Sequence, residues 1–597
     1  MNAPVSTPSR RGGAWLLDAA EPESIFTPEQ LSEEQRLIAR TADEFVQQEV
    51  LPQLERLEKK EWAVARSLIA RCGELGLLGV DVPEMYGGVG LDKVTSLLVS
   101  ERIAACASFA ATFGAQANLT VLPMVLFGTE AQKQRYLPRL LSGELVGAYA
   151  LSEPGSGSDA LGAKARATRQ PDGSYVLSGE KMWITNGGFA DLFIVFAKVD
   201  GEQFTAFIVE RAFAGVSNGK EEHKMGLFGS STTPLILQDV RVPAENLLGE
   251  VGKGHKVAFN VLNFGRFKLG AMCSGGARTA IGEAAKYAAQ RKQFGQPIAA
   301  FGAIKYKLAE MTVRQFAIES SIYRTAGLID AVLAATSHDP DDSAPVLAAV
   351  EEYAVEASIA KVAGSEMLDY VLDENVQIHG GNGFVADYPA EGHYRDARVN
   401  RIFEGTNEIN RMLIPGMLVR RAVKGDLPLI AAAKKLQEEI LEPPAAPAPG
   451  TGGPLDEERR AVAAFKKVAL MALGLAMQRY GQGLTDQQEV LMYIADILMD
   501  VYGAESAVLR ALDSSRRQVA SAGRQVDAAR IFVNDAAARI DASAKCALAA
   551  MADGDTLRTQ LAALRRLLKV TPIDTVSLRR RIAEETTARG GYIFAER

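Results

Sequence analysis

The spacing of apolar residues changes twice along the 597-residue chain, and this change constrains the fold more than any other feature. Over residues 28–141 apolar side chains recur at every third or fourth position, as in an amphipathic helix. Over residues 144–249 short apolar runs are separated by turn signals such as Asn186-Gly187, which indicates strands joined by tight turns. Helical spacing returns over residues 251–424. The predicted fold class is therefore mainly α with a central antiparallel β domain, not an alternating βαβ array.

Composition shifts divide the chain further. Residues 441–454 are rich in Pro and Gly, which favours a linker because Pro cannot donate a helix hydrogen bond. The expected units are a flexible N-terminal segment (1–27), an N-terminal helical domain (28–143), a β domain (144–250), a helical bundle (251–425), a connecting segment (426–454) and an additional C-terminal helical domain (455–597).

Overall composition excludes several function classes. A net charge of -7 gives no general attraction to nucleic acid. The four Cys are far apart and the five His form no HExxH spacing, so neither a disulfide framework nor a metal site is expected. Residues 1–20 lack the apolar core of a secretory signal, and we find no apolar run long enough to span a bilayer. We therefore expect a cytoplasmic protein, with only peripheral contact to the inner membrane surface possible.

One decapeptide, residues 402–411, is a candidate catalytic segment. Glu404 is followed by Gly405, whose missing side chain allows backbone angles that other residues avoid. A carboxylate beside a bare backbone N–H offers a general base and an oxyanion donor in one stretch. Taken alone, a Glu-Gly pair is more often a helix cap.

Two further segments could meet a polar ring. Residues 149–160 are dense in hydroxyls and glycines, although a surface loop would look the same. Residues 181–187 suggest a strand ending in a turn, where Trp183 could stack on a planar ring, but a core Trp is commoner. The dinucleotide fingerprint GxGxxG is absent.

Five motifs together resemble the flavin-dependent acyl-CoA dehydrogenases, in the same order and at similar separations. They are residues 149–160, 183–186, 290–295, 376–384 and 403–407. The resemblance covers about residues 25–425. It implies a helical domain, a β-barrel-like domain and a four-helix bundle, with FAD held at the subunit interface of a homodimer.

The resemblance also implies roles for individual residues. The implied cofactor contacts are Tyr149, Leu151, Ser152, Gly157, Ser158, Trp183, Ile184, Thr185, Arg291, Phe294, Gln377, Gly380, Gly381, Thr406 and Asn407. Those from Arg291 to Gly381 would serve the cofactor of a partner subunit. The implied substrate contacts are Ser158, Asn263, Arg266 and Gly405.

Glu404 is the base that the resemblance implies. Some relatives place the base immediately before the residue that matches Arg266, but Gly265 occupies that position here. Glu404 would remove the α-proton of the thioester while the β-hydride passes to the flavin, giving a trans-2-enoyl-CoA. The alternatives are an acyl-CoA oxidase that reduces O₂, and a flavin-binding assembly factor without activity.

The additional C-terminal residues resemble the very-long-chain branch of the family. This implies long-chain acyl-CoA substrates from fatty acid β-oxidation, an electron-transferring flavoprotein as acceptor, and peripheral membrane association. Candidate membrane segments are residues 468–477 and the basic stretches at 565–569 and 579–581. The alternative is that these helices pack on the body and expose solvated charges.

Overall fold

The computed structural model describes residues 11–336, 342–442 and 453–595. Its α-helices, in chain order, are α1 (Glu33–Phe45), α2 (Leu54–Glu58), α3 (Trp62–Glu74), α4 (Lys93–Ile103), α5 (Ala107–Gln116), α6 (Leu122–Phe127), α7 (Glu130–Leu141), α8 (Gly254–Gln290), α9 (Gly302–Ala335), α10 (Ala344–Glu352), α11 (Ala354–His379), α12 (Pro389–Ala397), α13 (Asn407–Lys424), α14 (Leu429–Leu441), α15 (Asp456–Tyr480), α16 (Gln488–Arg516), α17 (Ala522–Met551), α18 (Gly554–Leu567) and α19 (Thr575–Arg589). Its strands are β1 (Gly147–Ala150), β2 (Arg166–Arg169), β3 (Tyr175–Thr185), β4 (Leu192–Val199), β5 (Gln203–Glu210), β6 (Val216–Asn218), β7 (Thr232–Val242), β8 (Leu247–Leu248), β9 (Lys292–Gln293) and β10 (Gln296–Pro297).

Helices α1–α7 form the N-terminal domain, and local sequence determines where they begin. The Ser32 hydroxyl accepts a hydrogen bond from the Gln35 N–H (3.1 Å), and the Gln35 side chain accepts one from the Ser32 N–H (2.9 Å). This capping box satisfies two of the unpaired N–H groups at the start of α1. Ser32 is thus the N-cap residue of α1.

The β domain is a single sheet in the order β6-β7-β3-β2-β4-β5-β8, with β1 also paired to β4. Asp200 and Gly201 both have positive φ (51° and 84°) in the three-residue loop 200–202 that joins antiparallel β4 and β5. However, β1 and β2 pair with β4 in parallel. The fully antiparallel sheet that we predicted is wrong in this detail, because turn signals specify only strands that are neighbours in sequence.

The bundle consists of α8, α9 and α11, which pack against one another, and α13, which packs against α11. Helix α8 has 37 residues and is about 55 Å long at 1.5 Å per residue. Gly270 on α8 faces Gly364 on α11, and a β-carbon at Gly364 would lie 3.2 Å from the Gly270 Cα. The missing side chains let the two helices approach closely near the middle of the bundle.

The additional C-terminal helices pack directly on this bundle. Helices α15, α16 and α17 contact one another, and α16 contacts both α9 and α13. The Arg411 Nε on α13 donates to the Asp496 carboxylate on α16 (2.8 Å). The extra domain therefore touches the helix that follows the candidate catalytic segment.

The N-terminal segment, which we expected to be flexible, packs on the rest of the chain over its described residues 11–27. Trp15 is buried, its ring lies tilted at 5.0 Å from the Tyr502 ring, and its indole N–H donates to Glu356 (2.9 Å). The Gly13 N–H donates to the same carboxylate (2.6 Å). This N-terminal strap (residues 11–27) gains order by burying an aromatic side chain between the bundle and the extra domain. Residues 1–10 and the Pro/Gly-rich linker residues 443–452 lie outside the described residues.

Two helical stretches among the described residues, Ala107–Phe127 and Asp456–Asp486, have the length and apolar composition of a membrane span. This corrects our expectation that no run was long enough. Within their most apolar windows 72% and 61% of residues are buried, as in the core helices of a folded domain.

The candidate membrane segment 468–477 lies in the second stretch, and its side chains are mostly buried in the extra domain. It is therefore a core segment and not a membrane-facing one. Arg579 and Arg581 are paired with carboxylates of the same chain. Membrane contact through the exposed cations Arg565, Lys569 and Arg580 stays a prediction.

A buried ion cluster joins the residues just after the strap to the bundle and the extra domain. Arg510 is fully buried between Glu29 and Glu319, at 2.7 Å from each carboxylate.

Arg510→Ala would leave two carboxylates buried without their counter-ion, so we expect a loss of about 3–5 kcal/mol in the free energy of unfolding. Urea unfolding followed by circular dichroism measures this change. Arg558→Ala, which removes an exposed pair, is the control and should leave the midpoint nearly unchanged.

Candidate functional site

The segment around Glu404 forms a tight turn that leads into α13. Glu404 and Gly405 have φ angles of 57° and 78°, in the left-handed region. Thr406 caps α13 by accepting the Ile409 N–H (3.2 Å). The Asn410 side-chain amide donates back to the carbonyls of Gly405 (2.9 Å) and Thr406 (3.0 Å). We call residues 404–407 the catalytic turn. Its conformation is held by the first turn of its own helix.

The Glu404 carboxyl group is closed off from solvent although the residue as a whole is half-buried. Its Oε2 atom is buried without a hydrogen-bond partner. Burial raises the pKa of Glu404 to about 7, and the positive charges of Arg266 and Lys361 limit this rise. A carboxyl group with a pKa near neutrality is suited to act as a general base.

Gly265 lies directly beneath this carboxyl group. A β-carbon added at Gly265 would lie 2.7 Å from the Glu404 Cδ, which is closer than van der Waals contact allows. The position that carries the base in some relatives is therefore filled here by the side chain of Glu404. The two positions share one space, so only one of them can hold a carboxylate.

Arg266, the next residue on α8, contacts the catalytic turn. Its Nε donates to the backbone oxygen of Glu404 (3.3 Å), and its Nη1 donates to the Asn263 side chain (2.9 Å). Burial lowers the pKa of Arg266, and the charge of Glu404 opposes this shift. The structure brings Asn263, Arg266, Glu404 and Gly405 together. Their roles as catalytic base and substrate contacts stay predictions.

The predicted loop at residues 149–158 reaches the same place from the β domain. The Tyr149 hydroxyl is buried without a partner, and its pKa is raised by burial and by the charge of Glu404. Gly157 and Ser158 at the loop tip are exposed, and a β-carbon at Gly157 would meet nothing within 4 Å. The open tip leaves Ser158 and the backbone N–H groups available to a ligand.

An ion pair that sequence reasoning missed fixes this loop. The Lys181 ammonium donates to Glu153 (2.6 Å), and both side chains are buried. Glu153 also accepts the Ala165 N–H (3.1 Å). Glu153 and Lys181 are 28 residues apart and form no motif, so only the strand pairing reveals them.

Strand β3 presents Trp183 as an open aromatic surface. Its φ is 59° and its side chain is 58% exposed, which is unusual for a large apolar residue within a strand. Thr185 lines the cleft described below, whereas the Ile184 side chain is buried in the core. Ile184 can therefore contact a cofactor only through its backbone. An exposed aromatic face opposite a polar loop can hold a planar ring system with polar edges.

The remaining predicted cofactor residues lie elsewhere. Arg291, Phe294, Gln377, Gly380 and Gly381 are exposed and cluster where the ends of α8 and α11 meet, near the stacked rings of Tyr287 and His379 (4.1 Å). From Gly265 to Gln290 helix α8 rises about 38 Å. One chain therefore presents two separate groups of predicted cofactor residues.

Asn407, a predicted cofactor contact, turns its side chain into the protein. Its amide oxygen accepts from Lys361 (2.6 Å), and its amide nitrogen donates to Ser365 and Glu366 (3.0 Å each). These bonds occupy the side chain, which leaves only the backbone for a cofactor. Lys361 gave no sequence signal, because a lone Lys on an apolar helix resembles any surface cation.

A cleft with about 1070 Å³ of empty space, including its mouth, starts at Glu404. Its wall follows α8 from Gly265 to Thr279, with α5 opposite. Small side chains from α5, including Ala107, Ala111 and Ala115, line much of it. Such a wall suits a long, thin apolar group.

Four family models match the chain. They are described as the N-terminal domain of acyl-CoA dehydrogenase (residues 32–144), its middle domain (148–240), and two C-terminal domain models (252–416 and 464–566). A probable acyl-CoA dehydrogenase of Bacillus subtilis (strain 168) is 48% identical over 577 residues, which cover 96% of this chain and 97% of that protein. The chain belongs to the acyl-CoA dehydrogenase family. The predicted family and enzyme class, an oxidoreductase, are confirmed.

Solved structures support the predicted fold class of this dehydrogenase. A crystal structure of acyl-CoA dehydrogenase complexed with FAD from Bacillus anthracis superimposes with a TM-score of 0.96 at 50% identity, covering 98% of this chain and 99% of that one. The human mitochondrial very long-chain specific acyl-CoA dehydrogenase is 40% identical over 372 residues, which cover 60% of this chain and 53% of that protein.

Gly265→Ala tests the shared space beneath the base. The added methyl group would displace the Glu404 carboxyl group, and a misplacement near 1 Å can cost about 100-fold in rate. We expect turnover with an acyl-CoA and an artificial acceptor to fall at least about 10-fold. Gly416→Ala is the matched control, because its β-carbon would meet nothing within 4 Å. Unchanged turnover in Gly265→Ala would contradict the packing described.

Proposed function

We propose that the protein catalyses the FAD-dependent α,β-dehydrogenation of long-chain acyl-CoA thioesters to trans-2-enoyl-CoA. The observation that carries this proposal is the buried, unpartnered Glu404 carboxyl group at one end of a deep apolar cleft. This arrangement places a base with a raised pKa at the end of a space suited to an acyl chain.

The residues around Glu404 fit a flavin. Thr185 lines the same cleft as Glu404, and the unpartnered Tyr149 hydroxyl interacts with the Glu404 charge. Together with the exposed face of Trp183, two residues before Thr185, they would hold the ring system of FAD. Gly157 and Ser158 would face its phosphates. When bound, FAD supplies the acceptor for the hydride that leaves the β-carbon, since no side chain can accept hydride.

The chain's own residues would handle the proton and the developing charge. Glu404, as a carboxylate, removes the α-proton. The backbone N–H of the catalytic turn donates to the thioester oxygen as the enolate forms, which stabilises charge where it develops. Arg266 would hold the turn and the CoA portion in place, and displacement of water by the acyl chain would raise the basicity of Glu404 further.

The dimensions of the cleft support long-chain substrates. From Gly265 to Thr279 its α8 wall extends about 21 Å along the helix axis. The opposing Ala side chains keep this space open instead of filling it. A short acyl group would occupy only the part nearest Glu404 and leave apolar surface unpaired, which costs affinity.

The assembly and partners follow from the same reasoning. Because one chain presents two groups of cofactor residues about 38 Å apart along α8, two subunits could complete each other's FAD sites in a homodimer. We propose an electron-transferring flavoprotein as acceptor, a role in fatty acid β-oxidation and a cytoplasmic location. These points rest on the family and on the cleft.

Glu404→Gln tests the base. The amide keeps the shape of the side chain but cannot accept a proton, so bound FAD and acyl-CoA binding should persist while turnover falls by about 10³-fold or more. Anaerobic bleaching of the flavin by palmitoyl-CoA measures the half-reaction directly. Near-normal bleaching by Glu404→Gln would contradict the assignment.

In the wild type kcat/KM should fall as pH drops below about 7, because Glu404 becomes protonated.

Ala111→Phe tests the length of the cleft. A benzyl group at this lining position would fill the space beside α8, so substrates of about sixteen carbons should lose at least about 10-fold in kcat/KM. Four-carbon substrates should keep their rate, because the site around Glu404 is unaltered. Assays over saturated acyl-CoA from four to twenty carbons measure the profile. An equal loss for all chain lengths would contradict this role of the cleft.

A further inference from the structure

Lys361, in the N-terminal third of α11, carries a buried positive charge without an ion-pair partner. Its side chain is fully buried, and its Nζ donates to the Asn407 amide oxygen (2.6 Å). Within the described ranges no carboxylate oxygen lies within 4 Å of this ammonium group. Burying an ammonium group without a counter-ion is costly, so its surroundings must compensate for the lost hydration.

The surroundings of Lys361 lead to the catalytic base. Asn407, which accepts its hydrogen bond, is the last residue of the catalytic turn that begins at Glu404. The charged and titratable groups that Lys361 interacts with are Cys273 and Arg266 on α8, Glu366 on its own helix, and Glu404. Glu404 in turn faces Arg266, Lys361 and the Tyr149 hydroxyl. Of these two cations, Arg266 donates a hydrogen bond to the backbone of the catalytic turn, whereas Lys361 donates to the Asn407 side chain.

We propose that Lys361 is a positioning residue for the proposed reaction: it holds the catalytic turn through Asn407, and its charge favours the carboxylate form of Glu404. This inference rests on the proposed function. Lys361 is not part of the cleft lining, so substrate does not displace it. Its charge therefore acts on Glu404 both before and after the acyl chain excludes water.

The two titratable groups shift in opposite directions. Burial lowers the pKa of Lys361 to about 8, and the charge of Glu404 is among the influences that oppose this fall. Burial raises the pKa of Glu404 to about 7 despite both cations. Without Lys361 the same burial would act against one cation only, and Glu404 would be more fully protonated at neutral pH.

Lys361→Gln separates the charge from the hydrogen bond, because the Gln amide can still donate to Asn407. We expect the acid limb of kcat/KM to move to higher pH by about one unit or more, since an opposite charge nearby typically shifts a carboxyl pKa by that amount. Lys361→Arg keeps the charge and should keep the limb near its wild-type position. Holoenzymes with equal FAD content are compared, with palmitoyl-CoA and an artificial acceptor. Lys361→Met, which loses both charge and donor, is the second variant and should show the same shift.

Asp496→Ala is the matched control, because it loosens the catalytic turn without removing the Lys361 charge. Asp496 accepts a hydrogen bond from Arg411, and Arg411 donates to Glu366 (2.7 Å). Glu366 in turn accepts a hydrogen bond from the Asn407 side-chain amide. Removing this outer link disturbs the turn but leaves Lys361 charged, so kcat can fall while the acid limb stays in place. An unshifted limb in Lys361→Gln, or an equal shift in Asp496→Ala, would overturn the inference. A wild-type enzyme without turnover would instead overturn the proposed function.

Discussion

The steric arrangement of Glu404 above Gly265 is the constraint on which the site depends. The carboxyl group occupies the space that a side chain at position 265 would need. Two successive residues of the turn that places it there, Glu404 and Gly405, have positive φ. That conformation is unfavourable for Glu404, because it is not a glycine. Hydrogen bonds from Asn410 and Arg266 compensate for this strain. The base is thus positioned by two helices at once, α8 beneath it and α13 after it.

Electrostatics at this site depend on incomplete pairing. A direct ion pair would fix Glu404 as a weakly basic carboxylate, whereas complete isolation would leave it protonated. The structure lies between these limits, because Arg266 binds the turn backbone and Lys361 binds an amide, and neither forms a salt bridge with the Glu404 carboxylate within the described chain. A pKa of about 7 follows from this intermediate state.

Periodicity was sufficient to predict the order of helical and β regions, and motifs were sufficient to bring Glu404, Arg266 and the 149–158 loop to one site. The parallel pairing of β1 with β4 was not predictable, because it joins strands that no turn connects. The inward orientation of the Asn407 side chain was equally hidden, since a motif specifies a residue but not which way it points. The packing of the N-terminal strap was not predictable, because nothing in residues 11–27 indicates which distant residues Trp15 would contact. Lys361 and the Glu153–Lys181 pair are visible only once distant segments are brought together.

The N-terminal strap also has a consequence for biosynthesis. Glu29 is synthesised well before Arg510, its counter-ion, which follows it by 481 positions. Until α16 is synthesised, Glu29 lacks this counter-ion and Trp15 lacks the Tyr502 ring, and such distant contacts form late in folding. A chain cut at residue 425, the length at which the resemblance to simpler relatives ends, would keep the hydrogen bonds of Gly13 and Trp15 to Glu356 but would leave Glu29 without its counter-ion. In this protein the extra domain is therefore not a detachable appendage, because it supplies partners that the N-terminal residues need.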